Sequence, residues 1–100
     1  MKSYLTHLEC TACGLRHDSR ELQTICKACS KVLYPRYDLA AVKTEISLED
    51  LAYRERTMWR YFEVLPVLDQ LNVATLGEGG TPLLRTQQLA DTLGCTDLYI

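Results

Sequence analysis

The chain lacks any long apolar run: nothing in its 100 residues approaches the roughly eighteen apolar positions that a membrane span needs. Its opening, Met1-Lys2-Ser3-Tyr4-Leu5-Thr6-His7, holds no apolar core of the length a secretory signal requires. The expectation is therefore a protein of the reducing cytoplasm, with thiols rather than disulfides. A field of positive charge is missing too. Residues 1 to 44 carry seven cations against four anions, but residues 45 to 100 carry four arginines against nine acids and no lysine. A dedicated nucleic-acid binder shows a clustered excess of Lys and Arg, so nucleic acid is not an expected partner, nor is a membrane. There is no Gly-Lys-Ser/Thr phosphate loop and no Gly-x-Gly-x-x-Gly fingerprint. With 47% hydrophobic and 24% charged residues, the composition is that of globular rather than disordered sequence.

What is abundant is cysteine near the front. Cys10-Thr-Ala-Cys13 and Cys26-Lys-Ala-Cys29 are separated by twelve residues. Each short Cys-x-x-Cys loop points both sulfurs the same way, so two such knuckles can converge four thiolates on one tetrahedral ion. Zinc is the expected occupant, with Cys10, Cys13, Cys26 and Cys29 as ligands. An iron-sulfur cluster or a rubredoxin-like iron accepts the same donors, and two disulfides or a redox pair are the competing uses of such cysteines. Gly14 follows the first pair, where positive φ is often needed. Lys27 places a cation beside a site whose four thiolates exceed the charge of a dication by two. His7 and His17 read as plain surface histidines.

Along the chain, residues 4 to 8, 21 to 25 and 31 to 37 read as short strands, with polar turn material over 16 to 20. Pro35 places the third strand at an edge. Leu8, Leu22, Ile25, Val32 and Leu33 are too small a core to fold alone, whereas metal binding contributes roughly 10 to 16 kcal/mol in small zinc peptides. Residues 1 to 44 therefore read as a zinc-ribbon-like β unit. Residues 38 to 45 read as a linker. Ser47 and Asp50 form a capping box that opens an amphipathic helix running to Pro66, with Leu51, Met58, Phe62 and Leu65 on one stripe and Leu48, Ala52 and Trp59 beside it. Trp59, Tyr61 and Phe62 read as core. Past residue 75 the character becomes that of an α/β start: a glycine-rich turn, then a helix over Gln87 to Leu93 capped by Thr86 and stopped by Gly94, then a strand from Asp97. Cys95 reads as a small buried hydrophobe. A chain that stops inside a strand is expected to be the front of a longer protein.

The stretch Leu76-Gly77-Glu78-Gly79-Gly80-Thr81-Pro82-Leu83 resembles the Gly-Glu-Gly-x-Thr-Pro-Leu signature of the threonine synthase family of pyridoxal-phosphate enzymes. Trp59-Arg60-Tyr61 with Leu65-Pro66 is similar to the stretch before that signature. Leu89-Ala90 with Leu93-Gly94 is similar to the helix after it, and Asp97-Leu98-Tyr99-Ile100 to the strand leading toward the cofactor lysine. Many members also carry a cysteine-rich ribbon in front. The resemblance thus covers nearly the whole chain.

It implies three parts: a ribbon over 1 to 44, a linker and helix over 45 to 75, and the truncated start of a fold type II pyridoxal-phosphate domain over 76 to 100. For the full-length enzyme it implies a lyase acting on the small molecule O-phosphohomoserine, with loss of phosphate from the γ carbon, water addition at the β carbon and threonine as product. A homo-oligomer is compatible with it. The Asn-Pro-x-Gly-Ser-x-Lys segment bearing the Schiff-base lysine is not in this sequence, nor is the loop for the cofactor phosphate. No catalytic or cofactor-binding residue is assigned here, and the 100 residues alone are expected to be inactive. Glu78 and Thr81 border the substrate site or serve only to fix the loop. The Thr-Pro-Leu element is shared with relatives such as cysteate synthase, which stands as one alternative. The other is a zinc-ribbon interaction module with no catalysis of its own.

Overall fold

Residues Met1–Ile100 are described in a computed structural model. Its β element is a three-stranded antiparallel sheet in which β1 (Leu5–Cys10) lies between β2 (Arg16–His17) and β3 (Leu33–Tyr37). Leu8 faces His17 on one side and Pro35 on the other. Pro35 has no amide hydrogen to donate, and β3 is an outer strand that needs none there. Between Leu5 and His7 the register with β3 shifts by a bulge, and the Thr6 hydroxyl donates to the Arg36 carbonyl at 2.9 Å.

The strand expected over 21 to 25 does not form. The sheet is complete as β2-β1-β3, and this segment adds to neither of its outer edges. Its apolar residues stay outside: Leu22 is 96% exposed, and Ile25 and Val32 are exposed as well.

The segment expected to be a linker is a helix, α1 (Leu39–Glu45). Asp38 caps it, its carboxylate accepting from the Ala41 amide at 3.0 Å. Ser47 then opens α2 (Leu48–Tyr53) through the expected capping box: the Asp50 amide donates to the Ser47 hydroxyl at 3.1 Å, and the Ser47 amide to the Asp50 carboxylate at 2.8 Å.

The helix does not continue to Pro66. It ends at Tyr53, and Met58–Val64 follows as 3₁₀ turns with a kink at Tyr61. The cause is tertiary. The Met58 amide, which a continuous helix would hold inside itself, donates instead to the Glu78 carbonyl at 2.8 Å. Arg54 turns back to grip Glu63 and the Arg60 carbonyl. Phe62 is buried and meets Trp59 at 6.5 Å between ring centroids, as core aromatics do, while Leu48 and Tyr61 are exposed.

Glu63 also ties the two halves together. Its carbonyl accepts from the Tyr4 amide at 2.9 Å, and the Ser3 hydroxyl donates to the Leu65 carbonyl at 2.7 Å. Farther on, α3 (Gln87–Leu93) ends at Gly94 in the left-handed conformation, φ 69°. Thr86 precedes α3 without capping it, its hydroxyl buried and unpaired. The strand expected from Asp97 pairs back antiparallel on residues 84 to 86, with Leu84 and Ile100 exchanging both amide bonds. Cys95 is exposed rather than buried.

Only seven of the 100 residues are buried, and the radius of gyration is 18.4 Å. A compact domain of this length has about 13 Å. The chain thus keeps much of its apolar surface, Leu71 and Leu76 included, outside any core of its own.

Candidate metal centre and glycine loop

The two cysteine knuckles repeat one local design. β1 delivers Cys10, whose carbonyl accepts from the Gly14 amide at 3.1 Å and whose amide donates to the Leu15 carbonyl at 3.0 Å. In the second knuckle the Cys26 carbonyl accepts from the Ser30 amide at 2.9 Å and the Cys26 amide donates to the Lys31 carbonyl at 2.9 Å. Each loop reverses through one left-handed residue, Gly14 at φ 73° and Ser30 at φ 58°. Thr11 then joins the knuckles: its amide and its hydroxyl both donate to the Val32 carbonyl at 3.0 Å.

The four sulfurs converge as the spacing predicts. Cys10 and Cys29 lie 3.4 Å apart, Cys13 and Cys26 3.6 Å apart, and all four within 4.8 Å of one another. Disulfide sulfurs stand about 2.05 Å apart, so these are four thiols. A tetrahedron with metal-sulfur bonds near 2.3 Å has edges of roughly 3.8 Å, which this cluster fits.

Electrostatics favour a cation at the centre. The Cys13 amide, and with it that of Ala12, donates to the Cys10 sulfur at 3.4 Å and pulls that thiol down to about 6. At Cys29 the Lys31 amide lowers the value, but the neighbouring sulfur of Cys10 and burial outweigh it and push the thiol up to about 12. Four thiolates this close repel one another, and a dication at their centre is what lets all four ionise. The donor set is therefore one that can hold a metal ion.

The Lys27 ammonium lies 3.2 Å from the Glu21 carboxylate, which pairs with its charge. One expectation about the surroundings is corrected. His17 is not a surface histidine but is buried between the knuckles. Its Nε2 accepts from the Lys27 amide at 3.1 Å, which leaves the proton on Nδ1, 3.1 Å from the Leu15 carbonyl. His7 lies on the sheet beside Glu9, where the Arg36 guanidinium, then the Tyr34 hydroxyl, hold the Glu9 carboxyl down at about 2. Sequence periodicity carries no sign of this role for His17, because its partners are backbone groups brought in by both loops.

The glycine loop is seated backbone to backbone on residues 56 to 58. A Cβ at Gly79 would fall on the Met58 nitrogen and lie 2.7 Å from the Thr57 carbonyl carbon; one at Gly80 would fall on the Arg56 carbonyl oxygen. Both glycines have positive φ, 105° and 63°. The Glu78 carboxylate organises the loop, accepting from the Leu76 amide at 2.7 Å, the Thr75 hydroxyl at 2.9 Å and the Trp59 indole at 3.0 Å. Its own amide and that of Leu76 hold its pKa below the usual range. Thr81 lies on a cleft of about 410 Å³ that Arg56, Arg60, Gly79 and Gly80 also line.

Against known proteins, the chain is 41% identical over 91 residues to the threonine synthase of Methanocaldococcus jannaschii, covering 91% of this chain and 22% of that protein. It is 34% identical over 94 residues to the threonine synthase of Methanosarcina acetivorans, covering 94% of this chain and again 22% of the relative. The likeness to threonine synthases read from the glycine loop thus extends over nearly the whole chain, which spans about a fifth of the length of these curated relatives. No protein-family model matches, and no solved structure does. No helix is long and apolar enough to cross a membrane.

Proposed function

We propose that this chain is the N-terminal part of a threonine synthase-like enzyme that, as a whole, converts O-phosphohomoserine and water to L-threonine and phosphate in the cytoplasm. The observation that carries the reading is the glycine loop. Gly77 to Leu83 reproduces the family signature within a chain similar to two threonine synthases almost throughout, and the loop is wedged on Arg56–Met58 so tightly that only glycine fits at 79 and 80.

Pyridoxal phosphate, when bound, supplies the electron sink for such chemistry. The residues that would hold it are not in this chain. Lys2, Lys27, Lys31 and Lys43 all precede α2, and none approaches the glycine loop in sequence. This portion therefore contributes position rather than reaction: Glu78 fixes the loop, and the loop presents Thr81 at the rim of the substrate site. The ribbon holds a structural zinc through Cys10, Cys13, Cys26 and Cys29, for which the donor set and its spacing speak. The exposed apolar surface of residues 45 to 100 packs on the remainder of the enzyme, as the low burial of this portion suggests.

The test is phosphate release by the full-length protein, with threonine identified as the product. Release from a different phosphorylated amino acid, and none from O-phosphohomoserine, would move the assignment to a relative such as cysteate synthase. Absence of activity on all of them would overturn the enzyme reading.

A further inference from the structure

His17 occupies a place that the ligand set does not explain. It is buried at 6% exposure at the end of β2, and both ring nitrogens are used. Nδ1–H points to the Leu15 carbonyl, the same oxygen that accepts from the Cys10 amide. Nε2 accepts from the amide of Lys27, the residue directly after Cys26. The imidazole therefore spans from the backbone that fixes one cysteine pair to the backbone that fixes the other. With neither nitrogen free, it is no ligand itself.

We propose that His17 is a positioning residue for the metal centre: by bridging Leu15 and Lys27 it sets the separation of the two knuckles, and so the spread of the four sulfurs that an ion must match. The inference rests on the metal reading above. Apart from His17, the knuckles are tied by the Thr11 bonds to Val32 and by the β1–β3 pairing that sets Cys10 opposite Leu33; these reach the chain after Cys29, whereas His17 reaches the residue after Cys26. Without the imidazole bridge, the amide of Lys27 is left unpaired beside Cys26, and the sulfurs are free to spread. Outer-sphere partners that orient ligands typically change metal affinity by about 10- to 100-fold when removed.

Cobalt(II) binding to the full-length protein tests this, read by the sulfur-to-cobalt charge-transfer band and by competition with a chelator. His17→Phe keeps a ring of similar volume without either hydrogen bond, whereas His17→Gln can place a carbonyl oxygen where Nε2 accepts. The expected result is that His17→Phe weakens cobalt binding by about tenfold or more and perturbs the ligand-field bands, while His17→Gln recovers most of the affinity. Cobalt affinity of His17→Phe within about threefold of the parent, or a His17→Gln no tighter than His17→Phe, would overturn the proposal. A parent protein that shows no thiolate-to-cobalt band at all would instead overturn the metal reading, and the role of His17 with it.

Discussion

Ser30 stands in the second knuckle where Gly14 stands in the first: each follows the second cysteine of its pair, each donates its amide to the carbonyl of the first, and each is left-handed. Only the glycine adopts that conformation without penalty, since a Cβ there costs roughly 1 to 2 kcal/mol. Ser30→Gly should accordingly raise the stability of the metal-loaded protein, by about 0.5 to 1 kcal/mol once the added freedom of the unfolded chain is allowed for. Gly14→Ala should lower it by about 1 kcal/mol or more. Urea unfolding of the two variants checks both signs, and a destabilised Ser30→Gly would show that the serine side chain has a function of its own.

Arg54 and Glu63 make the second testable pair, joined by two parallel bonds of 2.7 and 2.8 Å. Burial alone would raise the Glu63 carboxyl, but the Arg54 guanidinium holds it below the ordinary range. A depressed carboxylate contributes stability that is fully present above its unfolded value of about 4.3 and is lost as pH falls below it. The stability difference between parent and Glu63→Gln should therefore be flat above about pH 5 and shrink below about pH 4.3. At neutral pH Arg54→Ala should cost about 2 kcal/mol, between an exposed and a fully buried pair. A difference that grows on acidification would refute the assignment.

Gly79→Ala and Gly80→Ala should each dislodge the glycine loop. The new Cβ meets main-chain atoms of residues 56 to 58, which cannot swing aside as a side chain would, and φ is positive at both sites. Losses of about 2 kcal/mol or more are expected, with the Trp59 fluorescence altered because its indole bonds Glu78. At Gly77, where nothing lies within 4 Å of the position a Cβ would take, only the conformational penalty applies and the change should be smaller. Equal losses at 77 and 79 would mean that the close approach carries no weight.

Removing metal should separate the two halves of the molecule in their response. The sheet has little apolar material of its own, with Leu22 and Val32 exposed, so a chelator or Cys26→Ser should abolish hydrogen-exchange protection at the Cys10 and Cys26 amides. The α3 amides, which touch neither knuckle, should keep theirs. The Tyr4 amide reports on the seam, since it bonds the Glu63 carbonyl. Protection at the two cysteine amides that survives complete removal of metal would mean that the ribbon folds without it.

Local chemistry made several features legible in the sequence alone. Cysteine spacing determined the converging quartet, because each knuckle closes within four residues. Ser47 and Asp50 determined where α2 begins, Gly94 where α3 ends, and Pro35 which strand is at an edge, each through its own backbone or its nearest neighbours. The cap at Asp38 was present as well, but the composition of residues 38 to 45 reads as readily as a linker. Other outcomes needed partners distant in the chain. Residues 21 to 25 form no strand, and it is β3, farther along the chain, that pairs with β1 opposite β2. The amphipathic stripe from Ser47 to Leu65 breaks after Tyr53 because Glu78, twenty residues past Met58, takes the Met58 amide and the glycine loop takes the space beside it. His17 is buried because two loops supply it with a carbonyl and an amide. In each case a backbone group chose its partner across a long loop, and side-chain periodicity contains no record of that choice.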